Sequence, residues 1–254
     1  MADRGMNERI QRLRKQSVET PVHIDLERAK LETDFYKAND GKYSIPVMRA
    51  MFLKDYFSKK TLYLGEDELI IGEKGKDPQA SPTFPELCCH SEEDMVVMSE
   101  RKLVSFHTTE EDRKLQREEV IPFWSGRTIR ERILSSMTDE WHKCYMAGMF
   151  TEFMEQRGPG HTCGGEQVFT TGYLDYIEKI DATMAQLDYL TDPEALAKEE
   201  ELKAMRIACE AVIVLGERYE ALVAETIAKT TDPTRKAELE QIAANLKVVP
   251  KHKP

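Results

Sequence analysis

The chain lacks an apolar run long enough to span a bilayer, and its first residues, "MADRGMNERIQRLRKQ", lack the apolar stretch of a secretory signal. It has no CxxC pair, no usual zinc-ligand spacing and no GxxxxGK[ST] phosphate loop. It also lacks an excess of basic residues. The net charge is -10 over 254 residues, which argues against nucleic acid or an anionic membrane as the main partner. The five cysteines are odd in number and come with no secretion signal, so reduced thiols in a cytoplasm are expected. Hydrophobic residues make up 41%, enough for a packed core and too many for a disordered chain.

What is present reads mostly as helix. "MNERIQRLRKQSVE" is an amphipathic opening helix, and "DLERAKLETDFYKAND" can start at Asp25 as its N-cap. "SIPVMRAMFLKDYFSKK" is a more apolar third helix, with Pro46 tolerated in its first turn. "LIIGEKGKDPQASPTFPELCC" changes character. The apolar run ending at Gly72 predicts a brief strand, and the glycines and prolines after it predict a long ordered loop. Loops of that length are more often functional than not.

Helix resumes at "TTEED", where Thr108 and Glu111 offer a capping box; Pro122 and Gly126 in "IPFWSGRT" should break it. A further helix starts at Thr138, with Asp139 and Glu140 in its first turn, and runs to the glycine cluster. After the cluster, Tyr173, Ile177, Ile180, Met184 and Leu187 recur at helical spacing. Asp192-Pro193 and Asp232-Pro233 each read as an N-cap followed by an N1 proline. Between them, Leu202, Met205, Cys209, Val212, Gly216, Tyr219 and Val223 form one apolar stripe. The last residues, "VVPKHKP", carry no closing element, which suggests the front part of a longer protein.

"EFMEQRGPGHTCGG", residues 152–165, concentrates four glycines, a proline, a histidine and a cysteine. A phosphate loop needs backbone N–H groups at a helix start after a strand, and here the glycines follow a helix. A metal would need three or four ligands, and His161 with Cys163 supplies two. A Cys-His nucleophile pair is conceivable, although nothing marks Cys163 as activated. From the residues alone the plain alternative stands beside these: His161 as a hydrogen-bonded core histidine and Gly158 as a helix C′ residue.

Four phrases in order, "ELIIGEKG", "SPTFPELCCHSEED", "EEVIPFWSGRTIRERI" and "AGMFTEFMEQRGPGHT", resemble the N-terminal part of the glycyl radical enzymes, the pyruvate formate-lyase-like family. The resemblance implies a segment that is mainly α with a few short strands, residues 1–254 forming the N-terminal section of a ten-stranded α/β barrel. It implies a glycyl radical outside this chain, installed by an S-adenosylmethionine-dependent iron-sulfur activating enzyme, and a relay cysteine and a glutamate that also lie outside it. No cofactor and no metal is then expected on the present residues. Homodimerisation when full length and anaerobic, cytoplasmic metabolism follow from the same likeness. The implied activity is a carbon-oxygen lyase: radical dehydration of trans-4-hydroxy-L-proline to 1-pyrroline-5-carboxylate. Other branches, isethionate sulfite-lyase-like or formate acetyltransferase-like, are alternatives, and a non-catalytic helical interaction module is the rival from another class. By the same likeness Phe153 and His161 line the substrate pocket. A phenyl ring would wall a small ring substrate from water, and an imidazole near neutral pKa could donate to a leaving hydroxyl or to a carboxylate.

Overall fold

The computed structural model describes residues 7–150 and 164–254. In chain order, α1 (Glu8–Glu19), β1 (His23–Asp25), α2 (Glu27–Asn39) and α3 (Ile45–Lys59) are followed by β2 (Ala80–Pro82), α4 (Glu92–Glu100) and α5 (Glu110–Leu115). A π-helical turn, Gln116–Val120, leads into α6 (Ile121–Trp124), then α7 (Ile129–Ser136) and α8 (Asp139–Met146). After residue 163 come α9 (Gln167–Thr170), α10 (Tyr173–Met184), α11 (Ala195–Lys229) and α12 (Pro233–Val248). The described chain is therefore mainly α, as its periodicities predict, with one two-stranded sheet. None of its helices is long and apolar enough to cross a membrane.

The described residues divide into two compact units. One holds 7–20, 35–78 and 164–254; the other holds 21–34 and 79–150.

In the first unit, α11 runs along α3 and also packs on α10 and α12. Its predicted stripe supplies buried Cys209, Gly216, Tyr219 and Val223, whereas Met205 points to solvent and Ala204 and Ala211 take its place in the core. Small residues (Val47, Ala50 and Ala204) let α3 and α11 approach closely, with Met51 and Ile207 closing the contact. Further along, Val223, Leu239 and Ile242 form a second cluster. Arg218 donates to the carbonyls of Phe57 (2.7 Å) and Lys60 (2.9 Å), which satisfies the end of α3. The segment after α12 returns to α10: Tyr173 N and Leu174 N donate to the carbonyls of Pro250 (3.1 Å) and Lys251 (3.0 Å).

Several local expectations need correction. The apolar run at Leu69–Ile71 is not a strand. Ile71 packs on the second cluster while Leu69 and Ile70 are exposed, and among the described residues no strand pairs with them. Asp232 caps α12 with Pro233 at N1 as predicted. Asp192 does not cap α11, because Pro193 lies in a preceding turn in which Glu194 N donates to Asp192 Oδ1 at 2.9 Å. Helix α10 ends at Met184, so Leu187 falls in the turn beyond it.

In the second unit, β1 and β2 pair in parallel, with His23 opposite Ala80 and Asp25 opposite Pro82. The strand therefore falls inside the predicted loop. Asp25 closes β1, and its carboxylate accepts from Glu27 N at 3.0 Å, so α2 begins two residues after the expected cap. The capping box of α5 is Thr109 with Asp112, one residue later than expected. Pro122 does not break the helix. A proline lacks the N–H of a normal turn and crowds the carbonyl four residues back; the π-helical turn before it absorbs this, and α6 continues to Trp124. Gly126, at φ +76°, ends the segment. Thr138 caps α8 as predicted, yet α8 stops at Met146 instead of running to the glycine cluster. Its end is a Schellman turn. Gly148 sits at φ +71°, Met149 N donates to Cys144 O at 3.1 Å and Gly148 N to Tyr145 O at 2.9 Å.

Candidate active site

Phe153, His161, Cys163 and Gly158 lie outside the described residues. The framework on their N-terminal side belongs to the second unit, and its most distinctive feature is a buried ionic cluster. Arg28, on α2, donates to Glu32 Oε2 at 2.8 Å one turn along the same helix. Its fork also meets both oxygens of Glu86, at 2.7 and 3.1 Å, and the Thr83 carbonyl at 3.2 Å. The guanidinium lies 4.1 Å from the centroid of the Phe84 ring.

One cation thus faces two carboxyls where Glu32 is 1% exposed. A second carboxylate there would be left without neutralisation in a low dielectric. Burial pushes the Glu32 carboxyl up to about 9; Arg28 opposes the rise and the hydrogen bond with Glu86 adds to it. Glu32 accordingly keeps its proton to higher pH than an ordinary carboxyl, and Arg28 Nη2 meets Glu86 Oε1 at 2.7 Å beside it. Beside them the Trp124 indole donates to Thr33 Oγ1 at 3.0 Å, and that hydroxyl donates to Ala29 O at 2.7 Å.

The cluster has a positional consequence. Residues 83–90 form neither helix nor strand; Leu87 N and Cys88 N turn back on Phe84 O, at 3.0 and 3.2 Å, and several other peptide groups take partners from elsewhere. Arg28 takes Thr83 O, Ile129 N donates to Glu86 O (2.9 Å), Arg130 N to Leu87 O (3.1 Å), and Gln116 Nε2 to His90 O (2.7 Å). The loop is fixed by α2, α7 and the π-helical turn together. An open cleft of about 650 Å³ beside it is walled by Ile24, Thr83, Phe84, Met98 and Phe106, among others.

The Cys89 thiol has no sign of activation. Burial pushes the Cys89 thiol up to about 11, with Cys88 and Glu131 adding to this and the Gln116 hydrogen bond opposing it. Cys88, Cys89, Cys144 and Cys209 form no disulfide with one another among the described residues. Among the described residues no three His, Cys, Asp or Glu side chains converge as a metal would require.

Sequence reasoning missed the Arg28, Glu32 and Glu86 cluster. A spacing of four between Arg28 and Glu32 reads as an ordinary solvated helix pair. The local signal that could have found it is Ala29 and Thr33 beside them, two small residues that allow close packing, both fully buried here.

The chain is 46% identical to the trans-4-hydroxy-L-proline dehydratase of Clostridioides difficile over 99% of its own length and 32% of that protein's. It superposes on the crystal structure of that enzyme with substrate trans-4-hydroxy-L-proline bound at a TM-score of 0.93, covering 100% of this chain and 32% of the other. A glycyl radical enzyme from Archaeoglobus fulgidus gives a TM-score of 0.86 at 27% identity, over 97% and 32% of the two chains. The chain therefore spans about a third of the length of the relatives it matches. The family model described as pyruvate formate lyase-like matches residues 6–254. A match of that extent takes in every described element of both units, so the chain belongs to the pyruvate formate lyase-like family.

Proposed function

We propose that this chain forms one wall of the substrate pocket in a glycyl radical dehydratase that converts trans-4-hydroxy-L-proline to 1-pyrroline-5-carboxylate. The observation that carries the reading is the 46% identity to a dehydratase of that substrate along 99% of the chain, against 27% for the Archaeoglobus glycyl radical enzyme. The radical, installed by an S-adenosylmethionine-dependent iron-sulfur activating enzyme, supplies the hydrogen abstraction that begins the reaction. No radical-bearing residue is assigned to this chain. Homodimerisation and an anaerobic cytoplasmic setting belong to the same reading.

The residues of this chain bind and protonate. Phe153 offers an apolar face to the pyrrolidine ring and excludes water from it. His161 holds the hydroxyl or the carboxylate by a hydrogen bond and delivers a proton as the hydroxyl leaves as water. Glycines around it let the backbone approach the ligand closely.

The test uses activated enzyme containing this chain. Glycyl radical is quantified by electron paramagnetic resonance and 1-pyrroline-5-carboxylate is measured alongside. His161→Gln should lower kcat by about a hundredfold, the usual scale of general-acid help, with radical yield unchanged. Near-normal turnover in that variant would restore the core-histidine alternative. Turnover of isethionate in place of hydroxyproline by the unmutated enzyme would move the protein to another branch.

A further inference from the structure

We propose that α1 is a strap latched by ion pairs onto a pre-built receiver, residues 63–68 and the start of α12, and that rising ionic strength releases it without unfolding what lies beneath. All of these residues belong to the first unit. Helix α1 buries none of its residues. Of its three apolar side chains, Ile10 is 47% and Val18 75% exposed, and Leu13 is half-buried. Apolar burial therefore contributes little to its attachment, and a helix of 12 residues is marginal by itself in water.

The strongest ties are polar. Arg9 Nη2 donates to both carboxylate oxygens of Glu238, at 2.6 and 2.7 Å. Arg12 forks onto Asp67, with Nε to Oδ2 at 2.7 Å and Nη2 to Oδ1 at 2.5 Å. Gln16 Nε2 donates to the Tyr63 hydroxyl at 3.1 Å. Residues 9, 12 and 16 follow one another by three and four, so all three groups lie on one face of the helix.

The receiver stands without the strap. Leu64 packs on the cluster of Val223, Leu239 and Ile242. Arg235, on α12, donates to the carbonyls of Gly65 (2.9 Å) and Glu68 (2.8 Å), and Gly65 N donates to Glu68 Oε2 at 3.1 Å. Strap and receiver thus differ in the force that holds them. Arg9, Arg12, Asp67 and Glu238 are all partly exposed, so mobile ions reach them. An open cleft of about 440 Å³, walled by Leu13 and Gln16 of α1 and by Tyr63 and Leu64, admits solvent between the two. At 1 M salt the screening length falls to about 3 Å, whereas apolar burial around Leu64 is not weakened.

The experiment is hydrogen exchange on the full-length protein, read at the amides of residues 12–19 and, as an internal reference, at those of α12. Raising salt from about 0.1 M to about 1 M should speed exchange in α1 about tenfold and leave α12 unchanged. At the lower salt Asp67→Asn should speed it about threefold, and Asp67→Asn with Glu238→Gln about tenfold, with most of the salt response gone. Arg12→Glu should release α1 as Asp67→Asn does. Arg12→Glu combined with Asp67→Arg should latch it again, a rescue that a merely structural role of either residue would not give. Salt-independent exchange in α1, or no rescue by the exchanged pair, would overturn the inference. So would exchange in α12 that rises in step with α1, since the carboxylates would then hold the unit and not the strap. Should a variant fail to fold, the salt response of the unmutated protein decides by itself.

Discussion

Glu32 illustrates how a residue that looks ordinary in sequence can dominate the local chemistry. Its ordinary value is 4.5, and in the folded chain burial raises it to about 9. Between those limits the folded state holds a proton that the unfolded state has lost. The stabilisation is fully present below about pH 4.5 and is lost as pH rises towards 9, with a slope of at most about 1.4 kcal/mol per pH unit. Glu32→Gln keeps the shape of the neutral acid and cannot ionise. It should flatten the fall in thermal stability between pH 5 and 9, to the order of one proton. Parallel stability profiles for the two proteins would show that Glu32 is not the group responsible.

Gly216 carries a sign argument of its own. An alanine in a helix interior is ordinarily favoured over glycine by about 1 kcal/mol. Here a Cβ would stand 2.6 Å from Pro250 Cδ, part of a rigid ring, and so the packing strain should win, at about 1–3 kcal/mol. Gly172→Ala should be at least as damaging, because its Cβ would run into the Lys251 carbonyl oxygen and the His252 backbone, neither of which can swing aside as a side chain could. Urea midpoints decide the matter, and a raised midpoint for Gly216→Ala would refute the close approach. The sequence hinted at this, since Gly216 falls within the apolar stripe where a larger residue would be normal.

At the scale of elements, legibility tracked the range of the forces involved. Helix α12 was readable because Asp232, Pro233 and their N–H partners are neighbours in the chain. The end of α8 was not read, although Gly148 marks it, because apolar residues continue on both sides and mask the break. Strands β1 and β2 were illegible for a different reason. Each is three residues long and exists through a partner some 57 residues away, His23 opposite Ala80. The α5 cap tests register directly. Thr109 Oγ1 accepts from Asp112 N at 3.1 Å, and the Asp112 carboxylate accepts from Thr109 N at 2.8 Å. Thr109→Ala should cost about 1 kcal/mol. Thr108→Ala removes a hydrogen bond from Arg113 and leaves the cap intact, so it should cost less, about 0.5 kcal/mol. The reverse order of the two in thermal denaturation would mean that the helix begins where the sequence first suggested.

For the whole molecule, the family was legible in four phrases, while the division into two units was not, because each unit is assembled from segments far apart in sequence. The two proposed pocket residues lie outside the described chain, so only the framework beside them can be set against the sequence. Phe153 and His161 came from the resemblance, while the framework of Arg28, Glu86 and Arg130 depends on contacts that no short phrase encodes. The surface raises a further expectation. Large apolar side chains stand in solvent at several places, among them Ile70 at 88%, Leu103 at 81% and Leu190 at 96% exposure, with Leu69, Val104 and Tyr189 exposed beside them. Such neighbours favour association, whereas a net charge of -10 opposes it through repulsion between copies. Repulsion is screened within about 10 Å at 0.1 M salt and about 3 Å at 1 M, while apolar burial is not weakened by salt. The 254-residue chain should therefore sediment increasingly as larger species when protein concentration or salt is raised. Acidic replacements at Leu103 and Leu190 should reverse the trend without lowering thermal stability, since neither side chain is in a core. A single boundary of monomer size, unchanged by concentration at about 1 M salt, would show that these residues do not seek a partner.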